Sequence, residues 1–280
     1  MNSDLGAAPL RIYPLANGMM RRIAIGVEYN GAQLHGWQRQ ASPEVATVQL
    51  ALEKALQDVA CHPVKLVCAG RTDAGVHALG QVAHFDVAVE RPDKAWLRGG
   101  NSKLPASVRV RWAQKVDLHF HARFSAQWRR YQYWVDNSTV ASAVFAGNIL
   151  HCRLPLDENR MHAAAQQLLG EQDFSAFRAA ACDSRTAMRN VQKVSVHRVG
   201  QKICIDIQAN AFLLHMVRNI VGALIQVGTG QESESWIGKL LAGRDRNLAP
   251  ATARPDGLYL FQVGYPEQFE LPKQGQRSLW

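Results

Sequence analysis

Strand-like and helix-like hydrophobic periodicity alternate along this chain in an order that occurs twice. The first half is predicted to contain, in order, strand Ile23–Tyr29, a helix capped by Thr47, strands Lys65–Ala69 and Gln81–Val87, a helix near Asp93–Gly99 and strand Val108–Val116. This β-α-β-β-α-β order is that of a ferredoxin-like or RRM-like unit. It restricts the fold to a sheet with two crossover helices.

The second half repeats that order with different residues. It is predicted to contain a strand from Trp128, a helix begun by Asp157 and ended by Gly170, strands Asn190–His197 and Lys202–Gln208, a helix over Phe212–Val227, a shorter helix near Glu234–Leu241 and strand Leu258–Val263. We therefore expect an α+β protein of two RRM-like halves, whose paired sheets form a basic central cleft. The expected boundaries are 1–20 for an N-terminal extension, 21–122 and 123–266 for the two domains, and 267–280 for a tail.

Charge indicates the class of partner. The 280 residues carry a formal net charge of +9 and include 23 arginines but only 9 lysines. The planar guanidinium suits phosphate, so a nucleic acid is the expected ligand. Five arginines are expected to cluster between the halves and contact phosphates: Arg109, Arg111, Arg123, Arg129 and Arg130.

Cysteine usage and hydropathy indicate the compartment. The five cysteines are odd in number, scattered and never in C-x-x-C spacing, which favours reduced thiols over disulfides or a zinc site. No apolar run approaches membrane-spanning length, and the N-terminus lacks a basic-then-apolar signal pattern. We expect a cytoplasmic protein without a membrane partner.

One segment, Ala69–Leu79, combines two glycines with a single carboxylate. Asp73 lies between Gly70 and Gly75, and apolar runs enter and leave the segment. Glycines allow a tight turn that presents Asp73 outward. Asp73 is then either an ordinary turn residue bonded to its own backbone or a functional carboxylate held between buried strands.

The predicted helix Phe212–Val227 is apolar almost all round, yet it carries a polar stripe at helical spacing. The stripe comprises His215, Arg218, Asn219 and Gly222. A buried arginine needs an anion, because an unpaired buried charge is costly. The partner of Arg218 is either a surface glutamate or Asp73, and we favour Asp73 because such pairing keeps an interior acid ionised.

Aromatic residues alternate with arginines after Trp128. On a strand, Arg130 falls on the face opposite Arg129, Tyr131 and Tyr133. The tyrosines either fill the core, or one of them stacks on a base beside phosphate-binding arginines.

A metal-dependent hydrolase is a rival function, because His119 and His121 lie on one face of an extended segment. No further Asp, Glu, His or Cys cluster completes a ligand set in the sequence, so we expect no metal. A second rival is a non-catalytic RNA-binding protein. That class accounts for the charge and fold but not for Arg218 on an apolar helix or for a glycine-flanked Asp73.

Seven short blocks, in order, resemble the tRNA pseudouridine synthase A family. They are H-G-W-Q at His35–Gln38, G-R-T-D-A-G-V-H-A at Gly70–Ala78, F-H-A-R-F-S-A at Phe120–Ala126, R-R-Y at Arg129–Tyr131, D-F-S-A-F-R at Asp173–Arg178, F-L-x-H-M-V-R-N-I-V-G at Phe212–Gly222 and G-L-Y-L at Gly257–Leu260. The resemblance covers roughly residues 22–265. It implies an isomerase that converts uridine to pseudouridine at positions 38 to 40 of the tRNA anticodon stem-loop, acting as a homodimer without cofactor or metal.

The resemblance also implies roles for the catalytic residues. Asp73 corresponds to the nucleophile, Arg218 to its ion-pair partner and Arg71 to a residue that helps displace the base. Leu214 stands where family members often carry a histidine beside His215, which puts a role for paired histidines in doubt. The residues leave open whether Asp73 attacks C6 of the base or acts at C1′, and which tRNAs and positions are modified.

A second group of residues is predicted to bind substrate. By the same resemblance Tyr131 packs against the target base and Leu258 lines the pocket. The remaining predicted substrate-binding residues are His77, Arg129 and Arg130.

Overall fold

A computed structural model describes residues 20–40 and 44–272. The predicted N-terminal extension, apart from residue 20, and the tail beyond residue 272 lie outside the described residues. In the described part no helix has the length and apolar character needed to cross a membrane. All five cysteines are free thiols.

The first half has the predicted β-α-β-β-α-β order. Its elements are β1 (Arg21–Tyr29), α1 (Val48–Ala60), β2 (Val67–Cys68), β3 (His77–Val87), α2 (Asp93–Lys103) and β4 (Val108–Val116). The Thr47 hydroxyl caps α1 by accepting from the Leu50 backbone N–H, as expected for a threonine at this position. The apolar residues of α1 then pack on the sheet as one buried face.

The second half repeats the order with two short strands added. Its elements are β5 (Trp128–Asp136), β6 (Leu150–His151), α3 (Glu158–Ala165), β7 (Gly170–Asp173), β8 (Met188–Val199), β9 (Lys202–Ala209), α4 (Met216–Gly228), α5 (Trp236–Gly243) and β10 (Leu258–Gly264). Asp157 caps α3 as predicted. Gly170 does not end this helix: a 3-10 turn over Gln166–Leu168 follows α3, and Gly170 is the first residue of β7.

Both halves place their four main strands in the same order. The described strands form one sheet in the order β4-β1-β3-β10-β5-β9-β8-β7, with β2 also paired to β3 and β6 to β5. Numbered within each half, the first half reads 4-1-3-2 and the second, β10-β5-β9-β8, also reads 4-1-3-2. The expected internal duplication of architecture is therefore present. The expected paired sheets form one continuous sheet, because β10 pairs with β3 in parallel and joins the halves edge to edge.

Side chains of the central strands alternate between two faces. Tyr131 and Tyr133 belong to the main core, which runs continuously through both halves and under the helices. Trp134 belongs to a small second cluster on the opposite face. The face that carries Tyr131 also carries the functional cavity described next.

Candidate active site

A cavity of about 550 Å³ lies beside β3, near the two strands β2 and β10 that both pair with it. Strand β10 pairs with the start of β3, at Tyr259 and His77, whereas β2 pairs further along, at Val67 and His84. The loop at residues 69–76 turns in the gap between them. The cavity walls come from residues 65–73, 182–184 and 211–218, together with side chains from β5 and β10.

Hydrogen bonds fix this loop from behind. The backbone N–H of the buried Trp37 donates to the Thr72 carbonyl (3.0 Å), and the hydroxyls of Thr72 and Tyr29 bond to each other (2.8 Å). From the sheet, the Gln81 amide donates to the Gly70 carbonyl (2.7 Å). The loop therefore presents its exposed side to the cavity with little freedom to move.

Gly36, in the H-G-W-Q block, packs directly against the part of this loop that carries Asp73. Its φ is +83°, in the region that favours glycine. A Cβ at Gly36 would lie 2.7 Å from the Thr72 carbonyl oxygen and 3.0 Å from the Asp73 carbonyl carbon. A side chain at this position would push the backbone of Asp73 out of place.

Asp73 meets two side chains from the beginning of α4. Nη1 of Arg218 and Nε2 of His215 each lie 3.3 Å from its Oδ2 atom. The Asp73 side chain is 30% exposed, and among the described residues none donates a hydrogen bond to Oδ1. Among the described residues the Asp73 side chain accepts no bond from its own backbone, and the partner of Arg218 is Asp73.

Arg218 and His215 are themselves held in place. Nε of Arg218 donates to the Ala253 carbonyl (2.7 Å), so the guanidinium is anchored at one end and faces Asp73 at the other. His215 has a φ of +61° and immediately precedes α4. Burial lowers the pKa of the His215 imidazole, Asp73 opposes this shift, and Arg218 and Arg246 add to it. The histidine is therefore neutral at neutral pH.

Tyr131 and Leu258 form the apolar wall. The Tyr131 ring packs edge-to-face on Phe212, with 5.0 Å between centroids and 82° between planes. Burial raises the pKa of the Tyr131 phenol, which therefore stays protonated, and its hydroxyl has no hydrogen-bond partner among the described residues. A flat apolar ring beside a carboxylate fits a planar base.

Besides Arg218, four arginines line the cavity, namely Arg71, Arg123, Arg129 and Arg189. Arg71 is exposed, whereas Arg129 is partly buried and donates to four carbonyls, including that of Ala69 at 3.0 Å. Burial lowers the pKa of the Arg129 guanidinium. Arg129 therefore ties β5 to the loop and adds positive charge to the cavity.

Two predicted substrate-binding residues lie elsewhere. Arg130 forms a two-pronged ion pair with Asp206 on the opposite face of the sheet (2.7 and 2.6 Å). His77 is buried and stacks on Tyr259 (4.6 Å), and its ring is bonded to the Gly31 N–H and the Asp256 carbonyl. Neither lines the cavity, so direct contact of either with a base there does not fit this geometry.

The expected cluster of five arginines between the halves is also wrong in part. Of its members, only Arg123 and Arg129 line the cavity. Arg109 bonds to backbone carbonyls near its own strand, and Arg111 pairs with Glu28 (3.5 Å). Alternation along β5 sends Arg129 and Arg130 to opposite faces, and Arg109 and Arg111 lie on β4, the outermost strand of the sheet.

His119 and His121, the proposed metal ligands, bond to neighbouring protein groups. Nδ1 of His119 lies 2.6 Å from Asp117 Oδ1, and Nδ1 of His121 accepts from the N–H groups of Arg123 and Phe124. Across residues 20–40 and 44–272, no group of three or more His, Cys, Asp or Glu residues is arranged to hold a metal ion.

Comparison with known proteins identifies the family. The model of the tRNA pseudouridine synthase family matches residues 25–125 and 164–266. The chain belongs to this family. It is 54% identical to "tRNA pseudouridine synthase A" of Cronobacter sakazakii and of Haemophilus influenzae, in each case over 90% of this chain and 93% of that protein. It is 55% identical to the Yersinia pseudotuberculosis protein of the same name, over 90% of this chain and 95% of that one.

Family membership confirms the α+β pseudouridine synthase fold and the predicted enzyme class, a pseudouridine synthase isomerase. Against the rival hypotheses, it favours an enzyme over a passive RNA-binding protein. The sequence had shown His215 only as part of the stripe with Arg218, and its contact with Asp73 was missed. Phe212 and Arg189 also line the cavity without having been predicted to do so.

Proposed function

We propose that the protein converts uridine to pseudouridine at positions 38 to 40 in the anticodon stem-loop of tRNA, with Asp73 as the nucleophile. The observation that carries the proposal is the partly exposed Asp73 carboxylate, ion-paired through Oδ2 in the wall of a cavity. The pair with Arg218 favours the charged form of the acid, and an anionic carboxylate is what a covalent step requires.

The geometry supports a role for each wall of the cavity. A uridine turned out of the RNA helix enters with its base against Tyr131 and Leu258. Arg71, exposed on the loop two residues before Asp73, is placed to displace the base. Oδ1 of Asp73 is the oxygen left to react, because Oδ2 faces Arg218 and His215.

The reaction conserves atoms and electrons. The N1–C1′ bond breaks, the base turns, and a C5–C1′ bond forms. The proton displaced from C5 is balanced by one gained at N1. No oxidant, reductant or group donor is consumed, so the cavity needs only a nucleophile, a base-binding wall and positive charge for phosphates.

The test compares Asp73→Asn with the wild type for pseudouridine yield on tRNA and for tRNA affinity. Asparagine keeps the shape but is not an anionic nucleophile, so yield should vanish while affinity remains, because affinity comes mainly from the arginines. Asp183→Asn is the matched control: it removes the only other carboxylate in the cavity wall, one without an ion-pair partner among the described residues. Full yield from Asp73→Asn would refute the catalytic assignment.

We further propose that the active species is a homodimer whose two clefts share one tRNA. The outermost strands β4 and β7 each have one free edge among the described residues, which is the kind of surface that a second copy can cover. Sedimentation equilibrium at micromolar concentration should give twice the 31.1 kDa chain mass. A species of single-chain mass under conditions of full activity would exclude the dimer as the active form.

A further inference from the structure

Phe124 is an aromatic ring left in solvent at the edge of the cavity. Its exposed fraction is 77%, although the neighbouring Phe120 is fully buried. The residue between it and the core-facing Ala122 is Arg123, whose side chain lines the cavity. A single exposed apolar residue is common in proteins, so its neighbours must decide whether it has a task.

The first such observation is that the ring is held in a fixed orientation. It stacks on the ring of His121, with centroids 4.3 Å apart and planes within 25°. Behind His121 lies the buried His84, edge-on at 4.8 Å. His84, His121 and Phe124 thus form an aromatic column that runs from the core to solvent. Phe124 is its outer end.

The second observation is that hydrogen bonds close the backbone turn that carries His121 and Phe124. Nδ1 of His121 accepts from the N–H of Phe124 (3.1 Å), and the Ser125 N–H donates to the His121 carbonyl (2.9 Å). The Ser125 hydroxyl in turn accepts from the His121 N–H (3.0 Å). Because these hydrogen bonds already hold the turn that carries the Phe124 ring, the ring loses little conformational entropy when a ligand covers it.

The third is the charge around the column. The column itself is neutral at neutral pH: burial and Arg22 lower the pKa of His84 to about 4, and burial, Arg22 and Arg123 lower that of His121. Positive charge accompanies it, since the Arg123 guanidinium lies over the Phe124 ring, 5.7 Å from the centroid. A flat apolar surface flanked by arginine matches a nucleobase with its phosphate.

We propose that the face of Phe124 is a stacking platform for an unpaired tRNA base next to the uridine that enters the cavity. The inference rests on the proposed function, which supplies the RNA and its turned-out nucleotide. The platform holds the strand at the cavity mouth while Arg123 contacts its phosphate. It therefore acts on RNA binding rather than on the chemical step.

The test measures the affinity of tRNA for Phe124→Ala, Phe124→Leu and Phe124→Trp. Loss of base stacking is expected to weaken binding about 5- to 100-fold in the first two variants. Phe124→Trp should bind at least as tightly as wild type. Phe124→Leu keeps apolar area without a π face, so it separates stacking from hydrophobic contact. Leu248→Ala, at a 59% exposed position outside the cavity wall, is the control and should change nothing.

Abasic nucleotides identify the stacked base. They are placed singly on either side of each mapped pseudouridine, and affinity is measured with wild type and with Phe124→Ala. At the stacked position, removing the base should weaken binding to the wild type by the same factor as Phe124→Ala, and the two changes together should be no worse than either alone.

Three results would overturn the platform: wild-type affinity in Phe124→Ala, equal affinity in Phe124→Leu and wild type, or strict additivity at every flanking nucleotide. A change of oligomeric state in Phe124→Ala without a change in affinity would assign the ring to a protein contact instead. Failure of the proposed function is a separate result, because wild type would then produce no pseudouridine, whatever the Phe124 variants do.

Discussion

The Asp73–Arg218 pair is arranged to orient a carboxylate rather than to stabilise the fold. Asp73 keeps 30% of its side chain exposed, whereas Arg218 keeps 14% and is anchored on the Ala253 carbonyl. A pair open to water on the acid side contributes less to stability than a fully buried one. Its main consequence is that Oδ2 of Asp73 faces Arg218 and the neutral His215, whereas Oδ1 has no donor among the described residues.

Arg218→Leu should therefore lower turnover far more than stability. We expect a loss of about 100-fold or more in turnover, as is typical when a preorganised charge is removed from a reacting site. The free energy of unfolding should fall by only about 1–2 kcal/mol, because Asp73 can still be solvated. Single-turnover kinetics on tRNA and urea unfolding measure the two quantities in the same preparation.

The double variant Asp73→Asn with Arg218→Leu is the control for this pair. It should recover part of the lost stability and none of the activity. Stability losses that simply add across the cycle would mean that the two side chains do not interact in solution.

The Asp73–Arg218 pair was predictable from sequence, but the contact of His215 with Asp73 was not. Arg218 on an apolar stretch needs an anion, and the glycine-flanked Asp73 offered one. His215 sits at helical spacing from Arg218 in the sequence, yet it lies outside α4 with a φ of +61°. A histidine in the left-handed region gives no sequence signal, so its turn toward Asp73 appears only in three dimensions.

Two elements have different bounds in the structure from those predicted, for identifiable reasons. The helix predicted over Phe212–Val227 begins at Met216, because the apolar residues before it line the cavity and mimic helical periodicity. The strand predicted over Lys65–Ala69 shrinks to Val67–Cys68. There, Glu53 of α1 accepts from the Leu66 N–H (3.0 Å), so a side chain replaces the strand partner at that point.

The contact between the H-G-W-Q block and the loop at residues 69–76 can be tested at Gly36. Gly36→Ala should lower turnover about 10-fold or more, because its Cβ would overlap the backbone of Thr72 and Asp73. Gly170→Ala is the matched control. Gly170 also has a positive φ, of +90°, but apart from its chain neighbours no atom of the described residues lies within 4 Å of its Cβ position.

Both alanine variants should therefore lose stability, by about 1–2 kcal/mol from the backbone conformation alone. Only Gly36→Ala should lose more than that and also lose turnover. Equal turnover in the two variants would show that the loop does not depend on this contact.

At the scale of the whole molecule, the repeated strand order was predictable and the single sheet was not. Period-2 and period-3.6 segments reveal the 4-1-3-2 units. Within the sheet, β10 and β3 pair at only two positions, Tyr259 with His77 and Leu260 with Ala78. So short a junction has no hydrophobic pattern of its own, although it opens the gap in which Asp73 lies.

Net charge was likewise predictable, but its division between surfaces was not. Alternation showed that Arg129 and Arg130 face opposite ways without showing which face borders the cavity. The structure places Arg129 at the cavity and neutralises Arg130 with Asp206. A basic chain can thus hold only part of its charge where the substrate binds.

This division can be measured from the salt dependence of tRNA binding. The logarithm of the association constant should fall linearly with the logarithm of salt concentration. Arg123→Leu should make the slope shallower by about 0.7–0.9, the release expected for one lost phosphate contact. Arg111→Leu is the control, because Arg111 already pairs with Glu28 and does not line the cavity, and it should leave the slope unchanged. Equal changes in the two variants would mean that RNA contacts the outer strand β4 as closely as the cavity. A wild-type slope near zero would contradict the proposal that RNA binds in a basic cleft.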